Sequence, residues 1–358
     1  MIESIDTKPV RASENLDWEN LENYLRGKLK EKFVGEFDTS AQMQIEQFPG
    51  GHSNLTYLLR FGNCEFVLRR PPFGTLPPKA HDMAREFHIL ERVYSIYRFA
   101  PRPFVLCEDL DVIGAIFYVM ERRRGIVIRT EEPAQLIDNP KSRCAVSEAT
   151  IDALAELHQV DVYANNLDAL GKPEGFVARQ VSGWTKRWHN SQTSELKEMD
   201  ALAAWLAERL PPDAPTPTLI HGDFKLDNVM FDANEIGKIV GVFDWEMSAI
   251  GDPLVDLGIF LCYWIHAASA GQRDSIASVT DREGYFSREE ILESYAAKTD
   301  FDLSGITFYE VFAVFKLAVV IQQIYCRYFK GQTDDARFAN LNQRVEWLAQ
   351  IGAKLTEN

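Results

Sequence analysis

Residues 219–232 read LIHGDFKLDNVMFD, and no other stretch limits so closely what the chain can fold into. Leu219 and Ile220 open it after a run holding Pro211, Pro212, Pro215 and Pro217, and Val229, Met230 and Phe231 close it. Between these apolar ends lie charged residues, a glycine and an asparagine. The middle must therefore be a turn rich in polar groups while both ends enter a core. A second apolar run, residues 239–243, follows and leads into Asp244. Two short strands with a carboxylate at the end of each make a compact acidic site.

Such a site suits phosphoryl transfer. Mg²⁺ takes one or two carboxylates or an amide oxygen together with phosphate oxygens and water. An acceptor hydroxyl needs a carboxylate that orients it and takes its proton. His221, Gly222 and Asp223, with Asn228 following, repeat the His-x-Asp-x-x-x-x-Asn spacing of the protein-kinase catalytic loop, where the aspartate is the base and the asparagine a metal ligand. Asp223 is thus the candidate catalytic base, and Asn228 and Asp244 are the candidate metal ligands. Lys225 also stands where protein kinases often carry a lysine. Residues 243–246, FDWE, lack the glycine of the protein-kinase metal motif, and residues 243–258 hold no long insert ending in Ala-Pro-Glu, which points away from a protein substrate.

Three further stretches run in order with these: residues 48–57 (FPGGHSNLTY), 66–72 (FVLRRPP) and 251–257 (GDPLVDL). Together they make the chain resemble the aminoglycoside phosphotransferase family of kinase-like enzymes, and within it the branch that also occurs fused to acyl-CoA dehydrogenases. The resemblance implies an α+β, protein-kinase-like two-lobe fold. Residues 1–35 would form an N-terminal extension with an amphipathic helix, 36–122 a small antiparallel-sheet lobe that binds nucleotide, and 123–358 a larger, mainly helical lobe. It also implies ATP and Mg²⁺ as cofactors and the hydroxyl of a small molecule as acceptor. Gly51, Ser53 and Asn54 would approach the donor phosphates. Arg69 would stand where kinases place a lysine on the α- and β-phosphates, paired with Glu86 on the next helix. Arg70 is the alternative, because strand alternation turns only one of two neighbours toward the cleft. Met120, Glu121 and Arg122 would form the hinge that presents main-chain groups to adenine.

Composition removes other classes. The formal net charge of −15 argues against broad nucleic-acid or anionic-membrane binding, both of which need clustered positive charge. Cysteines at 64, 107, 144, 262 and 326 are odd in number, widely spaced and without a Cys-x-x-Cys pair, as expected of reduced thiols in a cytoplasmic protein. The first residues, MIESID, have no apolar core and do not read as a signal peptide. The longest apolar runs, near 257–270 and 311–326, fall short of membrane-spanning length and read as buried helices.

Periodicity supplies the elements. Trp18, Leu21, Leu25 and Leu29 recur at helical spacing over 16–33, and Met83, Phe87 and Leu90 do so over 81–97. Residues 44–48, 55–60 and 64–69 alternate like strands, with a turn at Gly62 and Asn63. Residues 104–107 and 113–120 read as two more strands joined by a loop over 108–111. Helices are expected at 151–158, 183–188 and 201–210, with two or three more over 288–356. On the acceptor side, residues 176–198 mix Arg179, Lys186, Arg187, His189 and Lys197 with Trp184 and Trp188, a local balance that suits a hydroxy acid or hydroxyacyl compound better than a polycation. Two other readings stay open: a nucleotide-binding regulator without turnover, and an antibiotic (aminoglycoside) kinase.

Overall fold

The computed structural model describes residues 6–33, 38, 40–49, 54–74, 81–266 and 279–357. In chain order its main elements are α1 (Trp18–Lys32), β1 (Met43–Gln47), β2 (Leu55–Phe61), β3 (Cys64–Arg70), α2 (Met83–Val93), β4 (Pro103–Cys107), α3 (Leu110–Ile113), β5 (Phe117–Glu121), β6 (Ile126–Val127), α4 (Pro140–His158), α5 (Phe176–Ser191), α6 (Lys197–Glu208), β7 (Thr218–Ile220), β8 (Val229–Phe231), β9 (Ile239–Val242), β10 (Ala249–Gly251), α7 (Pro253–Leu261), α8 (Arg288–Ala296), α9 (Ile306–Phe329) and α10 (Leu341–Leu355). They form two compact units. One comprises Met1–Arg124 with Val240–Glu246, the other Gly125–Ile239 with Met247–Asn358.

The first unit is built on a five-stranded antiparallel sheet in the order β1-β2-β3-β5-β4. The β2–β3 hairpin turns at Gly62, whose φ of +56° lies in the left-handed region that glycine enters at little cost. Helix α1 starts where the Asp17 carboxylate accepts the Asn20 N–H at 3.0 Å, and it buries Leu21, Leu25 and Leu29. Those leucines share one core with Tyr57, Phe61, Phe66, Leu68, Phe104 and Phe117 of the sheet. Helix α1 therefore belongs to this unit's core. Helix α2, capped by Asp82 on the Arg85 N–H at 2.9 Å, lies on β4 and β5 with Glu86 on its buried face.

One stretch departs from its sequence reading. Residues 108–113 do not run as loop and strand, because the Asp109 carboxylate caps a short helix at Asp111 N (2.9 Å) and Gly114 closes it at φ +75°. Strand β5 therefore begins only at Phe117.

The segment Val240–Glu246 joins the first unit through specific bonds. Val242 N donates to Phe99 O at 2.8 Å. Trp245 is fully buried, edge-on to Tyr97 at 5.6 Å, and its indole N–H donates to Val242 O at 2.9 Å.

The second unit is mainly helical. Strand β6 pairs antiparallel with β8, and β7 with β10, the latter joining Ile220 to Ala249 and Thr218 to Gly251. Helix α9 is this unit's spine, packed against α5, α6, α7 and α10. A Cβ on Gly258 would sit 2.5 Å from Tyr309 O, so only a glycine lets α7 approach α9 this closely. At 24 residues α9 is longer than the apolar run at 311–326 and is long and apolar enough to cross a membrane. Yet 78% of its most apolar window is buried inside the protein, as the sequence pattern predicts for a core helix. Among the described residues no disulfide joins the cysteines.

Candidate active site

In the first unit, β3 sends its two terminal arginines to opposite sides. Arg69 meets α2, with its Nε 3.0 Å from Glu86 Oε2, close enough for an ion pair though not aligned as a hydrogen bond. The same guanidinium pairs through Nη2 with the Asp244 carboxylate. Arg70 turns away. It donates to Pro71 O (3.0 Å) and Ile113 O (3.4 Å) and stacks on Phe73 at 4.2 Å. Glu86 is buried, and its Oε1 accepts the Trp245 N–H at 3.2 Å. Burial pushes the Glu86 carboxyl up to about 7 against the pull of Arg69, while Arg69 itself stays charged because Glu86 and Asp244 outweigh its own desolvation. Asp244 adopts a φ of +70°, rare for a non-glycine residue, in the turn that joins β9 to the buried Trp245. Arg85 donates to Glu246 O and fastens the far side of that turn.

The other first-unit candidates fall in two places. Asn54 is buried, with its Oδ1 2.8 Å from His81 Nδ1, while Gly51 and Ser53 lie outside the described residues. Met120 is buried in β5 opposite Val67. The Glu121 N–H already donates to Arg102 O at 2.8 Å, and its carboxylate accepts the Arg102 N–H at 3.1 Å and pairs with Arg123 at 3.0 Å. Arg122 pairs with Asp6 and stacks on Phe48 at 4.9 Å.

In the second unit, β7 delivers His221 to a loop whose main chain is held from several sides. Asp256, fully buried near the start of α7, accepts the N–H of His221 and, at 2.7 Å, that of Gly222. His158 from α4 directs its Nε2 at the same carboxylate across 3.3 Å, where the anionic oxygen accepts, and its other ring nitrogen meets Tyr295 Oη at 2.6 Å. Burial works to raise the Asp256 carboxyl, but the bonds from His158 and His221 prevail and hold it below the usual carboxylate range. Ser248 donates to His221 O at 3.3 Å. Gly222 sits at φ +82°, where an added Cβ would meet Met247 O at 2.7 Å, so the turn requires glycine twice over.

Asp223 follows directly. Its Oδ2 takes Lys225 Nζ at 2.9 Å and Asn228 Nδ2 at 3.2 Å, and Asn228 Nδ2 also donates to Asp223 O at 2.8 Å. Both side-chain contacts thus fall on one carboxylate oxygen. Lys225 rests on the Tyr263 ring at 4.6 Å. Tyr263 belongs to the π-turn Cys262–His266 that continues α7, a widened turn of a kind often found at functional sites. Burial works against the Lys225 charge, but Asp223 and Tyr263 prevail and raise its pKa.

Sequence reasoning left two participants without a role. Tyr263 carried no signal beyond its apolar run. Lys316 did carry one, as the charge that interrupts an otherwise apolar run, and its Nζ donates to Gly222 O at 2.6 Å. Helix α5 answers differently from its composition. Trp184 and Trp188 are its buried stripe, and Trp188 Nε1 donates to Asp200 at 2.7 Å. Arg187 is exposed and stacks on Trp184 at 4.5 Å, and Arg179, also exposed, bonds main-chain carbonyls of Lys172 and Glu174.

The family model described as the phosphotransferase enzyme family, APH, matches residues 44–291. Human acyl-CoA dehydrogenase family member 11 is 34% identical over 357 residues, covering 98% of this chain and 44% of the human protein. The chain thus spans less than half the length of that curated relative. A Ralstonia eutropha crystal structure, provisionally described as an aminoglycoside phosphotransferase, superposes with a TM-score of 0.79 at 29% identity, covering 96% of this chain and 99% of that one. APH(2")-IIIa, solved in complex with GDP and kanamycin, superposes with a TM-score of 0.60 over 92% of this chain and 99% of its own; at 15% identity this likeness establishes the fold alone.

Proposed function

Because the chain belongs to the phosphotransferase enzyme family, we propose that it transfers the γ-phosphoryl group of magnesium-bound ATP to the hydroxyl of a small hydroxy acid or hydroxyacyl compound. It is a small-molecule kinase with the α+β, kinase-like fold, which sets aside a nucleotide-binding regulator without turnover. The observation that carries the reading is Asp223, a carboxylate on a rigidly held loop with one oxygen already gripped by Lys225 and Asn228. Its Oδ1 is then the atom that orients the acceptor hydroxyl and takes its proton.

Each candidate donor suits a hard divalent cation by its own chemistry. Asn228, in the second unit, spends its amide nitrogen on Asp223, which leaves an amide oxygen, and Asp244, in the first unit, is a carboxylate paired with Arg69. Among the described residues no group of three or more His, Cys, Asp or Glu could hold a metal, so the ion would depend on phosphate oxygens and water for its remaining ligands. Mg²⁺, when bound, neutralises charge on the phosphates. Arg69, paired with Glu86 as kinases pair their lysine, is the candidate for the α- and β-phosphates, and Asn54 is a candidate for the donor phosphates. The GDP held by APH(2")-IIIa supports a nucleotide donor here.

For the acceptor, two features favour an acid. Lys225 and Lys316 both stand by the catalytic loop and offset its Asp223 and Asp256 carboxylates, which leaves less negative charge to attract a polycation. A relative that matches nearly the whole chain is an acyl-CoA dehydrogenase family member. Helix α5 adds nothing to the case, because its tryptophans are core residues. The test is a panel followed by nucleoside diphosphate release, with Asp223→Asn as the blank. Turnover on hydroxy acids or hydroxyacyl-CoA is expected. Robust turnover of kanamycin or choline with none on any hydroxy acid would replace this acceptor class.

A further inference from the structure

Helix α9 is mostly apolar, and Lys316 lies near its middle between Phe315 and Leu317, both buried. A lysine there is expensive. Burial pulls its ammonium toward the neutral form; the nearby Asp223 and Asp256 carboxylates favour the charge, and Lys225 opposes it. A methionine would fill the space without that cost. What the lysine does make is one short bond, Nζ to Gly222 O at 2.6 Å, with the ammonium over the Trp184 ring at 5.6 Å.

The place of that bond matters. Gly222 O belongs to the peptide plane that leads into Asp223. The plane before it is held through its N–H by Asp256 at 2.7 Å, and the one before that likewise. Asp256 thus fixes the donors on one side of the left-handed turn, and Lys316 fixes the acceptor on the other. Rotation of the 222–223 peptide would swing Asp223 away from Lys225 and Asn228. Displacement of a catalytic group by about 1 Å can cost on the order of a hundredfold in rate.

We propose that Lys316 is a positioning residue for phosphoryl transfer, tethering the Gly222 carbonyl from α9 so that the Asp223 carboxylate keeps its catalytic orientation. The proposal rests on the reading of Asp223 as the base. It does not require Lys316 to touch the substrate.

The experiment compares the whole chain carrying Lys316→Met, Lys316→Gln or Asp223→Asn with the parent, measuring kcat, KM for nucleotide and Tm. Lys316→Met should lose at least about tenfold in kcat with nucleotide KM unchanged. Its Tm should be equal or higher, since a half-buried charge disfavoured by its surroundings has been removed. Lys316→Gln, which keeps a donor, should recover part of the rate. Parental kcat in Lys316→Met overturns the proposal, as does a loss confined to KM. If Lys316→Met does not fold, Lys316→Gln is read by the same criteria; if neither folds, Lys316 serves the fold and the proposal fails. Asp223→Asn separates the two levels. Its full activity would remove the base reading itself, whereas an inactive Asp223→Asn beside a fully active Lys316→Met removes only the role of Lys316.

Discussion

Asp223 and Asn228 could be paired from the sequence because a short loop fixes their mutual spacing, and spacing survives in one dimension. Arg69 and Arg70 could not be separated with the same ease. Alternation says only that neighbours diverge, and the partner that decides between them, Asp244, is 175 residues away. The structure directs Arg69 to Glu86 and Asp244 and Arg70 to main-chain carbonyls. Arg69→Ala should therefore abolish most turnover and, by leaving Glu86 buried without its counter-charge, destabilise the protein by about 3–5 kcal/mol. Arg69→Lys should keep part of the activity, since an ammonium supplies the charge without the fork. Arg70→Ala should leave turnover near the parental value. Steady-state kinetics and denaturant titration of the three variants check this, and damage confined to Arg70→Ala would reverse the assignment. Lys316 was visible as a charge inside an apolar run, but its partner was not: the bond reaches a backbone carbonyl 94 residues earlier, and a carbonyl leaves no mark in a sequence.

Elements with strong periodicity were legible and those made by local caps were not. Helix α1 and strands β1 to β3 follow from apolar spacing. Helix α3 is a single capped turn, set by Asp109 and Gly114, inside a stretch whose apolar residues also read as strand. Helix α7 shows how an element can serve a loop it does not touch in sequence. Its Asp256 replaces water for two loop N–H groups. Because the folded pKa of Asp256 lies below its ordinary value of 3.8, its contribution to stability is present above that value and is lost as pH falls through the lower, folded-state value. Asp256→Asn should cost about 1–3 kcal/mol at neutral pH, and its stability should decline less than the parent's in acid. Chemical denaturation at pH 7 and at pH values around and below 3.8 measures both, and parallel decline of the two proteins would show that other carboxylates dominate acid unfolding.

At the scale of the whole molecule, contiguous boundaries drawn near residue 122 do not foresee the return of Val240–Glu246 to the first unit. Nothing in composition announces that return, because it is made by a buried tryptophan and a few main-chain bonds. Met1–Arg124 produced alone should thus have a lower Tm than the same fragment given a peptide of residues 240–246. Equal Tm values with and without the peptide would make the segment dispensable. The same feature has a consequence for the growing chain. Glu86 waits for the Trp245 N–H, which is encoded 159 residues later. At typical synthesis rates of ~5–20 residues per second, that interval is roughly 8–30 s. Through it, a nascent first unit has neither Trp245 against Tyr97 nor the Trp245 N–H on the Glu86 carboxylate, so its core is completed only after Glu246 has been made.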